Sequence, residues 1–259
     1  MVLNFYLLVG VTFIVFTCLL PFVIDVKLAI PPPYDMGNFD FFYKVIHFGV
    51  MFYLFLNSVI CDVLYITILG LCIAQLVILQ EKLLDISVET NSAEPHNQRR
   101  FHSEVEKDLK QIIILHMMIN KFVKKLSTLL SLPLFIQYCC GCLIVCNTIL
   151  QLTFSNNIDT TDGVNLITYS AATLSQLVLY HWMGNEIMFK SNKIIESCYL
   201  SQWYQLNPYC QKFILMLMES AKRPLVIEVY SLVHISVDSL AVIIKWSYSL
   251  FAVTKARYN

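Results

Sequence analysis

The sequence predicts an all-α fold, a polytopic membrane bundle of five helical spans whose long helices continue into a cytoplasmic layer. Three observations predict it. Hydrophobic residues make up 57% of the chain and charged residues only 14%, against about 45–50% and about 25% in soluble domains. The mean hydropathy is +0.63. The apolar residues gather into runs that reach or exceed the roughly 20 residues needed to cross a bilayer. Net charge is zero at pH 7, so no electrostatic attraction for nucleic acid is available. Nine cysteines lie mostly inside apolar runs and read as small buried hydrophobes or inert thiols.

Taken in order, residues 1–79 hold the first two spans. The first, residues 2–24, has no basic residue before it and no small-residue cleavage site after it, which argues against a signal peptide. Its abrupt start inside an apolar run leads us to expect a missing upstream portion. The connector at 25–40 contains Pro31, Pro32 and Pro33 and should form an ordered polyproline turn on the extracellular side. Residues 41–79 stay largely apolar, a length of roughly 58 Å as a helix, nearly twice the hydrocarbon thickness. That helix must leave the membrane, and Gln80, Glu81 and Lys82 mark its exit, with Asp62 near the inner boundary.

Residues 80–125 are the most polar stretch, with a loop expected at 91–98. Phe101, Val105, Leu109, Ile112, Ile113, His116, Ile119 and Val123 then recur at helical spacing, the pattern of an amphipathic cytoplasmic helix. It feeds the third span at 126–152, in which Pro133 should introduce a kink. Lys121, Lys124 and Lys125 sit where a membrane-surface collar is expected. The fourth span runs over 164–188, closing the 126–188 membrane region. Residues 189–229 mix charged, aromatic and apolar positions and should form an amphipathic helical layer packed on protein.

The terminal region, 230–259, carries the fifth span and a short tail. Its apolar run, 229–253, contains His234, Asp238 and Lys245. At roughly 100° per residue these three and Ser249 fall within about 60° of one another, giving the helix one polar stripe. The stripe meets either buried polar partners or water.

Basic residues set the orientation. The second and fourth connectors carry Lys82, Arg99, Arg100, Lys107, Lys110, Lys121, Lys124 and Lys125, and Lys190, Lys193, Lys212, Lys222 and Arg223; the first carries Lys27 alone and the third none. The excess places connectors two and four in the cytoplasm. With five spans the N-terminal side is then cytoplasmic and the C-terminus extracellular, in a multi-pass protein of the cell membrane.

No catalytic or cofactor-binding string is present. His102-Ser103-Glu104 has the spacing of a zinc deaminase motif without its P-C-x-x-C partner, and Cys140-Gly141-Cys142 lacks metal-ligand spacing. The chain is read as a non-enzyme with no cofactor and no metal site. Phe13 and Phe16 on the first span, Phe48, Phe52 and Tyr53 on the second, and Thr168 and Tyr169 on the fourth are expected to converge on an outer-leaflet cavity. Such a cavity suits a small hydrophobic ligand.

The stretches QLVLYHWMGNEI (176–187), LMLMESAKRPLVIEVY (215–230) and SVDSLAVIIKWSYSLFAV (236–253) resemble the C-terminal half of insect odorant receptors. That family ends in a span of the form S-L-x-x-F-x-x-I-L-K-x-S-Y-S-Y-F-x-V-L. Ser236, Val242, Ile243, Ile244, Lys245, Ser247, Tyr248, Ser249, Phe251 and Val253 keep its register, whereas Leu240, Leu250 and Thr254 depart from it. The resemblance implies that the five spans match the third to seventh of a seven-span, inverted-topology receptor. It further implies a tetrameric, odorant-gated, cation-permeable channel shared with a co-receptor. Residues 80–125 and 189–229 would be its cytoplasmic anchor and 234–254 its pore helix. Asp238, Lys245, Ser249 and Val253 would line the pore, Val253 at the apolar gate. The chain lacks the co-receptor's long insertion in the second cytoplasmic connector, which implies an odorant-tuned subunit. Competing readings are a transporter, disfavoured by the absence of an inverted repeat, a non-conducting scaffold or non-functional truncated receptor, and a gustatory-type receptor, whose usual T-Y-x-x-x-x-Q-F ending is missing.

Overall fold

The computed structural model describes residues 40–92, 98–154, 160–230 and 233–258. The first expected span and its connector, residues 1–39, lie outside them. The order is α1 (Asp40–Ser92), α2 (Gln98–Phe154), α3 (Thr160–Leu200), a 3₁₀ turn (Trp203–Gln205), α4 (Pro208–Ala221), β1 (Glu228–Val229), β2 (Val233–His234) and α5 (Val237–Tyr258). The chain divides into two compact units. One comprises the chain up to Tyr65, Phe135–Tyr180 and the chain from Asp238; the other comprises Ile66–Leu134 and His181–Val237. Helices α1, α2 and α3 each contribute to both.

The expected second span, 41–79, and the residues that follow it up to Ser92 are one helix. α1 has 53 residues and α2 has 57, roughly 80 and 85 Å at 1.5 Å per residue. α2 absorbs what the sequence divides into an amphipathic helix and a span, and it continues through Pro133. By length and composition, Phe41–Ile86, Glu104–Phe154 and Val237–Ala256 can cross a membrane. α3, which holds the expected span at 164–188, dilutes its apolar residues with Ser170, Ser175, Gln176, His181, Asn185 and Glu186.

The second unit is held by seams with a repeat of three and four. On α1 the buried positions are Leu69, Cys72, Leu76, Leu79, Leu83 and Ile86; on α2 they include Val105, Leu109, Ile112, His116, Ile119, Val123 and Leu126; on α3 they include Ile187, Ser191, Ile194 and Cys198. A mean period near 3.5 residues keeps each seam turned to its neighbours, as in a coiled coil. Each fully buried Leu or Ile contributes about 1.5–3 kcal/mol. Gln80 Nε2 donates to Lys190 O at 2.6 Å, tying α1 to α3. Ser220 Oγ lies 3.3 Å from His116 Nδ1, between α4 and α2. Cys198 and Cys210 are buried thiols, and burial pushes Cys198 up to about 12.

The first unit has a sparser interior. Tyr138, Cys146, Thr148, Leu177, Leu179 and Ser247 are buried, while Phe41, Ile46, Leu64, Leu129, Leu143 and Ile167 are among many large apolar side chains left exposed. All but Leu129 belong to this unit. A lipid-facing surface has this composition. Gly141 on α2 lets α3 approach: a Cβ there would stand 3.1 Å from Leu177 Cδ1.

The described residues between α4 and α5, 222–230 and 233–236, are not helical, which corrects the expectation of a helical layer up to 229 and of a terminal helix beginning at 234. Arg223-Pro224 ends the helix, and Leu225, Ile227 and Val229 are buried while Val226 and Glu228 are half-buried and Tyr230 exposed. That alternation has the period of a strand. The hairpin pairs Glu228 with His234 and Val229 with Val233 in antiparallel register. His234 is therefore in a strand and not on the terminal helix, so it leaves the expected polar stripe; its Nδ1 is 3.6 Å from Glu228 Oε1. Two serines one turn apart on α2 fasten the hairpin. Ser127 Oγ accepts from Glu228 N at 3.0 Å and donates to Glu228 O at 2.8 Å, and Ser131 Oγ accepts from Tyr230 N at 3.4 Å. On α3, Ser191 Oγ accepts from Leu225 N at 2.9 Å.

At Gly184, α3 packs closely on Ile235 at the end of the hairpin. A Cβ there would lie 2.5 Å from Ile235 Cγ2 and 2.6 Å from Ile235 O, whereas at Gly49 nothing lies within 4 Å. Gly184→Ala is expected to destabilise the second unit by about 1–3 kcal/mol, the usual cost of overpacking. Gly49→Ala is expected to be neutral or slightly stabilising. Thermal unfolding in detergent, followed by fluorescence-detected size-exclusion chromatography, compares the two; equal midpoints would remove the steric role of Gly184.

Candidate functional site

α5 has two different faces. Successive residues turn by roughly 100°, so Leu240, Ile243, Ser247, Phe251 and Thr254 share one side. Ser247 is 3% exposed, and Leu240, Ile243, Phe251 and Thr254 are half-buried. Its hydroxyl donates to Ile243 O at 3.1 Å, and Cys142 Sγ on α2 reaches Ile243 O at 4.0 Å. The opposite side, turned by roughly 180°, carries Asp238, Val242, Lys245, Ser249 and Val253. All of these are exposed, Val253 to 69%. Among the described residues neither Asp238 nor Lys245 has an ion-pair partner. Of the expected stripe, the structure keeps Asp238, Lys245 and Ser249 together and takes His234 away.

The expected ligand residues are only partly placed. Phe48 and Phe52 share one face of α1 and stack, their ring centroids 6.0 Å apart and 11° from parallel. Tyr53, on the next face, is exposed, as is Tyr169 on α3. Thr168 turns its hydroxyl back to Val164 O at 2.8 Å, satisfying itself on its own helix. Phe13 and Phe16 lie outside the described residues.

A polar cluster that the sequence did not reveal sits inside the first unit. Asp62 on α1 is 1% exposed. Its Oδ1 accepts from Gln176 Nε2 at 2.6 Å and from the Tyr180 hydroxyl, both on α3. Gln176 Nε2 also reaches Tyr180 Oη at 3.3 Å, and the Tyr65 and Tyr180 rings lie 4.3 Å apart between centroids. Gln176 and Tyr180, one turn apart, present two donors to one carboxylate. A buried carboxylate is tolerated only when its oxygens are hydrogen-bonded, so the pair clasps α1 to α3. The one local signal was an ionisable residue at membrane depth, a marker of a functional or structural role; its partners are more than a hundred positions away.

A family model described as 7tm Odorant receptor matches residues 1–248. The chain belongs to this odorant receptor family. It is 23% identical to Odorant receptor Or2 of Anopheles gambiae over 59% of the chain and 40% of that protein. It is 27% identical to Odorant receptor 22c of Drosophila melanogaster over 47% of the chain and 30% of that protein. Among solved structures it resembles the insect olfactory receptor OR5 from Machilis hrabei in complex with eugenol, with a TM-score of 0.82 at 15% identity, covering 100% of the chain and 66% of that receptor. The match thus spans about 40% of the first of these curated relatives. As an odorant receptor family member with long apolar helices, the chain is a multi-pass membrane protein, all-α, with the fold of that receptor.

The Asp62 clasp predicts a measurable coupling. Tyr180→Phe removes one donor from a buried carboxylate and is expected to cost about 1–3 kcal/mol. In an Asp62→Asn background the same change should cost less, because the charge that needed the donor is gone. A double-mutant cycle on thermal unfolding in detergent reads the coupling; additive effects would show that the hydroxyl does not serve the carboxylate.

Proposed function

We propose that this chain is an odorant-tuned subunit of a ligand-gated, cation-permeable channel that assembles with a co-receptor into a heterotetramer and detects small hydrophobic volatiles. The observation that carries the reading is the two-faced terminal helix. One side packs on the chain's own bundle, and the other presents Asp238, Lys245 and Ser249 with nothing from the described chain over them. An ionised side chain at mid-bilayer costs about 2.5–3.5 kcal/mol or more. A stripe of such groups on the outside of a span is stable when it meets water or a neighbouring subunit, and a central pore supplies both. Asp238, Lys245, Ser249 and Val253 then line the conduction path, with apolar Val253 as the gate.

In this reading residues 80–125 and 189–229 form the cytoplasmic anchor, the N-terminal side is cytoplasmic and the C-terminus extracellular. The charge asymmetry of the connectors supports that orientation. The protein works as a receptor and not as an enzyme. Phe13, Phe16, Phe48, Phe52, Tyr53, Thr168 and Tyr169 contribute an apolar, aromatic ligand cavity in the outer half of the bundle. A volatile opens the pore by binding the open state more tightly than the closed one.

Co-expression of the protein with the co-receptor should give odorant-evoked cation current that persists when G-protein signalling is blocked. Val253→Ser should raise the unliganded current, and a charged thiol reagent should alter current through Ser249→Cys but not through Ser247→Cys. Loss of the current on G-protein block would overturn the channel reading. Unchanged basal current in Val253→Ser, or equal modification of the two cysteines, would remove α5 from the pore.

A further inference from the structure

Within the second unit a cavity of about 700 Å³ opens between α2 and the segment that follows α4. Its size falls in the usual range for ligand pockets, about 300–1,000 Å³. Asn120, Lys124 and Ser127 come from the α2 wall, and Arg223, Glu228 and Tyr230 from the other. Lys124 and Arg223, both exposed, therefore line one space from separate walls, and among the described residues neither is in an ion pair. Lys121 and Lys125, both exposed, flank Lys124 on α2. The one carboxylate in the lining is that of Glu228, whose Oε1 lies 3.6 Å from His234 Nδ1.

The walls are fixed in advance of any ligand. Ser127 bonds both the N–H and the C=O of Glu228, and Ser131 Oγ donates to Glu228 O at 3.2 Å. These bonds hold the stretch carrying Arg223 against the helix carrying Lys124, and Pro224 stiffens the residue next to Arg223. A preformed pocket loses little on ordering when it binds. An arginine and a lysine on two walls of one cavity suit phosphate oxygens: a guanidinium can bond two of them, and an ammonium acts as a point charge.

We propose that this cavity binds a phosphomonoester polyanion of the inositol phosphate type. Two sources share that chemistry, the headgroup of a phosphorylated inositol lipid and a free inositol phosphate. The cavity lies beside the basic stretch that precedes the apolar run starting at 126. In the orientation proposed above this is the level of the inner-leaflet headgroups, where basic pockets recruit anionic lipid. The lipid source rests on that orientation, whereas the phosphate site itself does not.

The test uses the purified full chain in detergent, with binding read by microscale thermophoresis. The probes are a short-chain phosphatidylinositol bisphosphate, short-chain phosphatidylcholine and soluble inositol trisphosphate. Saturable binding of the phosphoinositide and none of phosphatidylcholine is expected. Lys124→Gln and Arg223→Gln should each weaken it about tenfold or more, the loss of one charge-assisted contact. Lys124→Arg should retain binding, and Glu228→Gln should tighten it. Inositol trisphosphate binding as tightly as the lipid assigns the site to a soluble phosphate; a lipid preference of about tenfold or more assigns it to the membrane. Thermal midpoints of the variants matching the parent show that folding is intact. Failure of both phosphorylated probes to bind, or affinities unmoved by Lys124→Gln and Arg223→Gln, would overturn the proposal. No step of the assay requires current, so a chain that does not conduct but binds as described sinks the channel reading and leaves this site standing.

Discussion

A polar group in hydrocarbon has no water to turn to, and that constraint organises the chain. Backbone groups are satisfied within long helices, the one open-chain structure that can cross a bilayer. Five side-chain hydroxyls of the first unit follow the same rule. Thr148, Thr153, Thr168, Thr173 and Ser247 each donate to the carbonyl four residues back. Asp62 cannot do so, being an acceptor, and draws its donors from Gln176 and Tyr180 on another helix. The same constraint makes the exposed face of α5 informative: among the described residues neither Asp238 nor Lys245 has an ion-pair partner.

The two units use different forces. In lipid, apolar contact between helices gains little over contact with acyl chains, and association relies on close packing and interhelical hydrogen bonds. The first unit fits that account, with Gly141 against Leu177 and the Asp62 clasp. The second unit buries a heptad-like series of leucine, isoleucine and valine on α1 and α2. Such seams gain free energy only where the alternative is water. A single uninterrupted helix can therefore change its packing mode along its length, as α1 does on either side of Tyr65.

The hairpin between α4 and α5 sets where the terminal helix begins. Ser127, Ser131 and Ser191 bond its backbone, and Gly184 leaves room for Ile235. The terminal helix consequently starts at Val237 with Asp238 in its first turn, where a carboxylate is favoured by the helix dipole. Moving His234 into the strand leaves a shorter and more uniform helix of 22 residues, about one bilayer thickness in length.

The sequence by itself determined the all-α membrane class, the long helices, the shared face of Asp238, Lys245 and Ser249 on the last helix and, through residues 176–187, 215–230 and 236–253, the family. These are local properties: hydropathy runs, helical period and short motifs are written in consecutive residues. The strand alternation of Leu225, Ile227 and Val229 was also legible, but a run rich in apolar residues reads equally as helix until its length and neighbours are known. Tertiary structure alone decided that Asp62 meets Gln176 and Tyr180, that α2 pins the hairpin, and that Lys124 and Arg223 share one cavity. Each joins residues about a hundred positions apart, and which faces meet over such distances depends on the packing of whole helices, not on any local pattern.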